Sequence, residues 1–261
     1  MRALFTAATG MEAQQSQIDT IANNIANVGT TGFKRSRAEF QDLFYETLRA
    51  PGATGTDGSV LPTGVQVGHG VKLAAVNTIY SAGDRINTGN PLDLAVDGSG
   101  FFQVLRPTGE TVYTRDGTFK LDGNGNVVTS LGYQLIPNIT VPTDTTSLTV
   151  LPDGTVNAVQ AGQTAPTNLG QIQLARFANP AGLRASGGNL LEATQSSGDP
   201  QTGIPGQTGF GAVSAGFLEG SNVEVAEELV QMILAQRAFE VSSRVIKTGD
   251  EMLQVAAQLS Q

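Results

Sequence analysis

The stretch SNVEVAEELVQMILAQRAFEVSSRVIKTGDEMLQVAAQL, Ser221 to Leu259, decides how the rest of the chain is read. Ser221 with Glu224 three residues on has the pattern of a capping box, in which two side chains satisfy free N–H groups of a first helical turn. Glu227 and Glu228 suit the positive end of such a helix. Val225, Met232, Phe239, Ile246 and Leu253 then recur every seven residues, the spacing of a stripe that packs lengthwise on a partner helix. A second apolar set, Leu234, Ala238, Val241, Val245, Met252, Val255 and Leu259, falls on the opposite side of the same helix. A helix from Ser221 to Leu259 would be roughly 58 Å long. No other segment of the chain could cover both of its apolar faces, so covering chains are expected from other molecules.

The opposite end reads the same way. Leu4, Ala7, Met11, Gln14, Ile18, Ile21, Ile25 and Val28 step by three and four, a heptad seam with one polar interruption. Gly29, Thr30, Thr31 and Gly32 stop it. Gly10 lies inside it and costs about 1 kcal/mol relative to alanine unless a neighbouring helix comes close. Between the ends, short alternating runs (Leu92–Val96, Phe101–Leu105, Thr118–Leu121, Val127–Leu131, Ile172–Phe177) are separated by turn dipeptides. Asp97-Gly98, Asp116-Gly117, Asn124-Gly125 and Asp153-Gly154 are hairpin signals. The fold class expected is therefore α+β, a discontinuous coiled-coil module made from both chain ends with an antiparallel all-β domain inserted. The divisions are a core helix over 1–34, an extended connector over 35–70, the β domain over 71–195, a return connector over 196–220 and a second core helix over 221–261. The first connector contains Gly- and Thr-rich sequence but also Pro51, Pro62 and the apolar Leu48, Val60, Leu61, Val65 and Val67, which a free tether would not need. Leu61 to Val67 is expected to pair as extended chain with adjacent copies and to lock them axially.

Composition narrows the function classes. Of 261 residues 39 % are hydrophobic and 15 % charged, enough for a real core, while 32 glycines and 6 % aromatics imply many tight turns. The net charge of −8 disfavours nucleic acid as a partner, since counterion release needs clustered cations and only Lys34-Arg35 with Arg37 offers any. Without cysteine there is no disulfide framework or thiolate metal site. No apolar run approaches the ~20 residues of a membrane span, and Met1–Phe5 is followed by polar, Gln-rich sequence where a secretory signal would be apolar. His69, the only histidine, sits in Gly68-His69-Gly70, the setting of an exposed loop residue. Asp122-Gly123-Asn124-Gly125-Asn126 has the early spacing of a calcium loop, but Val127 and Tyr133 stand where glycine and a bidentate glutamate are required, so a hairpin turn explains it better. No nucleophile elbow or phosphate loop occurs. A non-enzymatic chain without cofactor or metal is expected.

Three separated stretches carry a family resemblance. Ala22–Val28 running into Thr31–Arg35, Gly98–Val104 followed by Tyr113–Phe119 and Gly132–Leu135, and Ser221–Leu229 through Gln236–Glu240 and Asp250–Leu253 resemble, in that order, the N-terminal, β and C-terminal signatures of flagellar rod and hook subunits. Tyr45–Ala53 continuing to Leu61–Gly68 is similar to the distal-rod branch of that family. The resemblance implies a homopolymer in which terminal helices of many copies form a hollow tube with the β domains outside. It further implies a rigid drive shaft carrying motor torque across the periplasm, exported by the flagellar type III route without a cleaved signal. The partners it implies are the proximal rod protein, the hook protein and the surrounding periplasmic and outer-membrane ring proteins. Leu4, Met11, Ile18, Ile25, Val225, Met232, Phe239, Ile246, Leu253, Leu61 and Val65 are the expected assembly contacts. Competing readings are a proximal rod subunit, a secreted carbohydrate-binding or hydrolytic β module, which zero Trp and four Tyr disfavour, and a self-assembling adhesin.

Overall fold

The computed structural model describes residues 2–52, 63–163 and 165–259. Helix α1 (Arg2–Ala26) and helix α2 (Val225–Leu259) stand at the two ends, and strands fill the order between them. The α+β class expected from the two periodicities is the one the chain adopts. Contacts separate it into a helical unit, Met1–Ala26 with Ser36–Asn77 and Glu224–Gln261, and a β unit, Asn27–Arg35 with Thr78–Val223.

In the helical unit α1 and α2 pack as an antiparallel hairpin, with Leu4 beside Gly249, Gly10 beside Ser242 and Asn24 beside Glu228. The strand Ser36–Asp42 pairs with Val71–Thr78, and Tyr45–Arg49 pairs antiparallel with Val65–Gly68. Helix α2 starts at Val225, not at Ser221. The Asn222 side chain explains the delay: it accepts the Arg35 N–H (2.7 Å) and donates to the Ile79 carbonyl (2.9 Å), which holds the chain in a non-helical path before the first turn.

The β unit is built around a nine-stranded sheet in which Phe101–Leu105 pairs with Thr111–Thr114, Gln134–Ile136 and Leu174–Arg176. Successive residues of a strand face opposite ways, so Phe101 and Phe102 feed two different cores. Phe102 joins Val104, Val112, Phe119, Leu135, Ile139, Ile172 and Leu174 in the main one, with its ring edge-on to Phe119 at 5.2 Å. Phe101 joins Tyr113, Ala175, Phe177 and Leu183 in a smaller one.

Of the four hairpin signals, two close hairpins. Asn124-Gly125 turns Phe119–Leu121 back onto Val127–Thr129, and Asp153-Gly154 turns Thr145–Val150 onto Thr155–Gln160. The other two are corners: Leu94–Asp97 pairs with Ala212–Ala215 and not with Phe101–Leu105, and Thr111–Thr114 has Leu190–Glu192 on its second side and not Phe119–Leu121. The segment 196–220, read as a connector, holds three strands: Gln201–Gly203, Ala212–Ala215 and Phe217–Glu219, which pair with Leu174–Arg176, Leu94–Asp97 and Arg85–Asn87. Its three strands belong to three different sheets. Residues 71–77 likewise fall in the helical unit, where the strand they form pairs with Ser36–Asp42.

Candidate assembly surface

The seam of the helical hairpin is narrow, and it uses small residues. On α2, Met232, Ala235, Phe239, Ser242, Ile246 and Gly249 step alternately by three and four and are buried or half-buried. Ala235 is 2 % exposed. A Cβ built on Gly249 would come within 2.5 Å of Leu4 Cδ2, and one on Gly10 within 3.5 Å of Ser242 Oγ. At Gly249 the close approach calls for glycine, whereas at Gly10 a Cβ would meet Ser242 only at ordinary van der Waals distance, so the neighbour helix does not by itself require the glycine in α1. At the other end Asn24, buried, donates to Glu228 Oε2 (3.2 Å) and to the Ser36 carbonyl (2.8 Å) and accepts the Ser36 N–H (2.9 Å). This polar lock sets the register of the hairpin, since slippage would leave buried polar groups unpaired.

The seam consumes only part of the apolar surface. Met232, Phe239 and Ile246 of the seven-residue stripe are half-buried at α1, as are Leu4, Met11, Ile18 and Ile25 across from it, whereas Val225 and Leu253, at the stripe's ends, are exposed. The second face stands open. Leu234 is 58 % exposed, Val241 60 % and Met252 68 %, with Leu229, Val230, Ile233, Val245 and Val255 also exposed. Each such side chain is stabilised by about 1.5–3 kcal/mol when fully buried, so a row of them on one helix is a surface made to be covered. The row continues beside α1, where Ala3, Ala7, Val67, Val241 and Val245 line a groove of about 600 Å³.

The strands of the helical unit add a second apolar area. Phe44 is 91 % exposed, and Tyr45, Leu48, Val65, Leu73 and Val76 are exposed as well. Val65 is paired within its own chain, opposite Arg49. The expectation that it lies extended for a neighbour is corrected to that extent: one edge is satisfied in cis, which removes half of its backbone demand. Leu61 lies outside the described residues.

Sequence reasoning missed a buried cluster of charges. Lys34, Arg115 and Glu219, all within the β unit, are 6 %, 6 % and 2 % exposed. Lys34 Nζ donates to Glu219 Oε1 (2.5 Å) and to the Ser81 carbonyl (2.7 Å), and Arg115 donates to Glu219 Oε2 (3.1 Å) and the Gly98 carbonyl (2.7 Å). Burial lowers the pKa of both cations, and the Glu219 carboxylate works against that shift. Tyr80, packed edge-on to Phe101, is pushed by burial to about 12. Lys34 reads in the sequence as part of a short basic cluster with Arg35 and Arg37, and no local pattern reveals an anion 185 positions away. His69 is half-buried instead of exposed. The Asp122 carboxylate accepts from the Asn126 side chain (2.9 Å) and from the N–H groups of Asn126 and Asn124 (both 2.8 Å), the bonds of a hairpin turn, and these, the Asn126 side chain first, hold its pKa down. Among the described residues no helix is long and apolar enough to cross a membrane, and no group of His, Cys, Asp and Glu is arranged to hold a metal ion.

Comparison with known proteins follows the same three-part division. Residues 4–34 match the flagella basal body rod protein family, 95–158 the flagellar hook protein FlgE/F/G D1 domain, and 214–259 the flagellar basal body rod FlgEFG protein C-terminal family. The chain is 49 % identical to the flagellar basal-body rod protein FlgG of Borreliella burgdorferi, over 99 % of this chain and 98 % of that one. It is 41 % identical to the protein of the same name from Bacillus subtilis, over 99 % of both. Identity to the flagellar hook protein FlgE of Escherichia coli is 26 %, over 97 % of this chain and 98 % of the hook protein.

Proposed function

The chain belongs to the flagellar basal-body rod and hook protein family, and on that premise we propose that it is the structural subunit of the distal rod, polymerising into a stiff hollow shaft. The observation that carries this reading is the doubly apolar α2. One face is spent on α1, and the other, from Leu229 to Val255, is left open along a helix of 35 residues. A repeated copy is the covering surface that a homopolymer supplies, and end-to-end similarity to rod proteins at 41–49 % identity, against 26 % for a hook protein, favours rod over hook.

Leu4, Met11, Ile18, Ile25, Met232, Phe239 and Ile246 then act inside each subunit as well as toward neighbours, while Val225, Leu253 and Val65 face other subunits. The hairpin Tyr45–Arg49 with Val65–Gly68 projects apolar side chains that resist axial sliding, which makes it the stiffening element. Placement in the periplasm, export without a cleaved signal, and contact with the proximal rod, hook and ring proteins complete the proposal; they rest on family resemblance. Electron microscopy of basal bodies from a strain lacking this chain tests it. Truncated rods without hooks, restored by the wild-type chain, are expected. A full-length distal rod in that strain would refute the assignment.

A further inference from the structure

The chain passes between its two units at Asn27, Arg35, Thr78 and Val223. Within the β unit, the segment Asn27–Arg35 contributes no strand to any sheet and therefore lacks the ladder bonds that hold the other parts together. Its backbone is fastened by bonds to residues remote in sequence. The Gly32 N–H donates to the Glu219 carbonyl (2.8 Å), the Ile79 N–H donates to the Arg35 carbonyl (2.9 Å), the Arg35 N–H donates to Asn222 Oδ1 (2.7 Å), and the Thr31 carbonyl accepts from the Asn189 amide (3.3 Å). The Asn222 amide also donates to the Ile79 carbonyl and to Ser81 Oγ (both 2.9 Å). Beneath these bonds lies Lys34, whose ammonium shares the Glu219 carboxylate with Arg115. Three of the four crossings thus converge on one polar knot.

We propose that Asn27–Arg35 is a strap, fastened to the β unit by the Lys34–Glu219–Arg115 cluster in place of sheet pairing, so that the crossing segments leave the unit as one tied bundle. The chemistry suits that task. An apolar seat would tolerate sliding by a residue, whereas an ammonium held between a carboxylate and the Ser81 carbonyl accepts one register only. Glu219 is the shared member. Its Oε1 accepts from Lys34 and the Gly83 N–H and its Oε2 from Arg115, while its backbone carbonyl accepts from Gly32. The cluster holds two cations and one anion, so its members are not equivalent. Without Glu219 two buried cations face each other uncompensated; without Lys34 a neutral Arg115–Glu219 pair remains.

That asymmetry can be read by hydrogen exchange on the full-length chain kept below its assembly concentration. In Glu219→Gln, exchange at the Gly32, Arg35 and Ile79 amides should accelerate by about 10²–10³-fold. The Val104 and Val112 amides, in the main core, should keep wild-type rates. In Lys34→Met the Gly32 and Arg35 amides should accelerate by about tenfold, less than in Glu219→Gln and again without effect on the core. Equal acceleration at Val104 and Val112 would mean that the cluster serves the stability of the whole unit, and the strap would be refuted. Wild-type exchange at Gly32 and Arg35 in Lys34→Met would refute it too. Should Glu219→Gln fail to fold, the Lys34→Met result decides alone.

Discussion

Gly70 has φ +117°, and a Cβ placed on it would collide with the Thr9 hydroxyl of α1. Gly70→Ala is therefore expected to cost about 1–3 kcal/mol through backbone strain, seen as a lower urea midpoint of the helical signal in far-UV circular dichroism. Glu192 offers a pH-dependent case. Hydrogen bonds from Arg184 first, then Ser186 and Arg106, hold its carboxyl at about 2, below the ordinary 4.5. A carboxyl with a depressed folded pKa contributes stability above its unfolded pKa and loses it as pH falls through the folded one. The acid limb of wild-type stability should therefore steepen between about 4.5 and about 2, and Glu192→Gln should flatten it in urea midpoints taken across that range. A result with parallel limbs would remove Glu192 from the account. At this scale the sequence was least legible. Asn222 sat in a helix-start motif, yet its amide serves Arg35, Ile79 and Ser81, partners remote in sequence and set only by the fold. Lys34 and Glu219 were opaque for the same reason.

The faces of α2 separate folding from assembly. Ala235 lies in the seam with α1, whereas Leu234, its immediate neighbour, points outward. Ala235→Asp should unfold the hairpin, since an unpaired charge would be buried there; its loss of helical signal in the soluble chain is the check. Leu234→Asp and Val241→Asp should leave that signal and its midpoint within about 0.5 kcal/mol of wild type while abolishing polymer formation in sedimentation assays. Polymers of normal length from Leu234→Asp would show that the open face is not an interface. Both helices were legible because a period of 3.5 to 3.6 is hard to produce by accident over 25 and 35 residues. Which of the two apolar faces of α2 meets α1 was not, because hydrophobicity alone does not name the partner; the small residues Ala235, Ser242 and Gly249 were the available signal. The strands at Gln201–Gly203 and Phe217–Glu219 escaped notice because three-residue pairings with distant partners leave almost no local pattern.

Across the whole molecule, the sequence order helix, strands, helix was readable, but the division into units was not. The chain crosses from one unit to the other four times, and Ser36–Asn77 joins the helical unit although it reads as a connector. Pairing of Tyr45–Arg49 with Val65–Gly68 makes that segment a folded arm. Deleting residues 46–68 removes the arm and leaves the seam of α1 and α2 intact. Rods from such a strain should assemble but curve or vary in bend in electron micrographs, with impaired swimming; straight rods would reduce the arm to a tether. The unequal lengths of the two helices have a consequence of their own. Leu4 lies beside Gly249, so in an antiparallel pair α2 runs on past the start of α1 from about Met252, some two turns further. A hairpin with flush ends would be a blunt peg. This one is stepped, with Met252, Leu253 and Val255 bare on the longer leg, so the two ends of the hairpin are unlike, and a stack of identical copies aligned the same way would carry a direction.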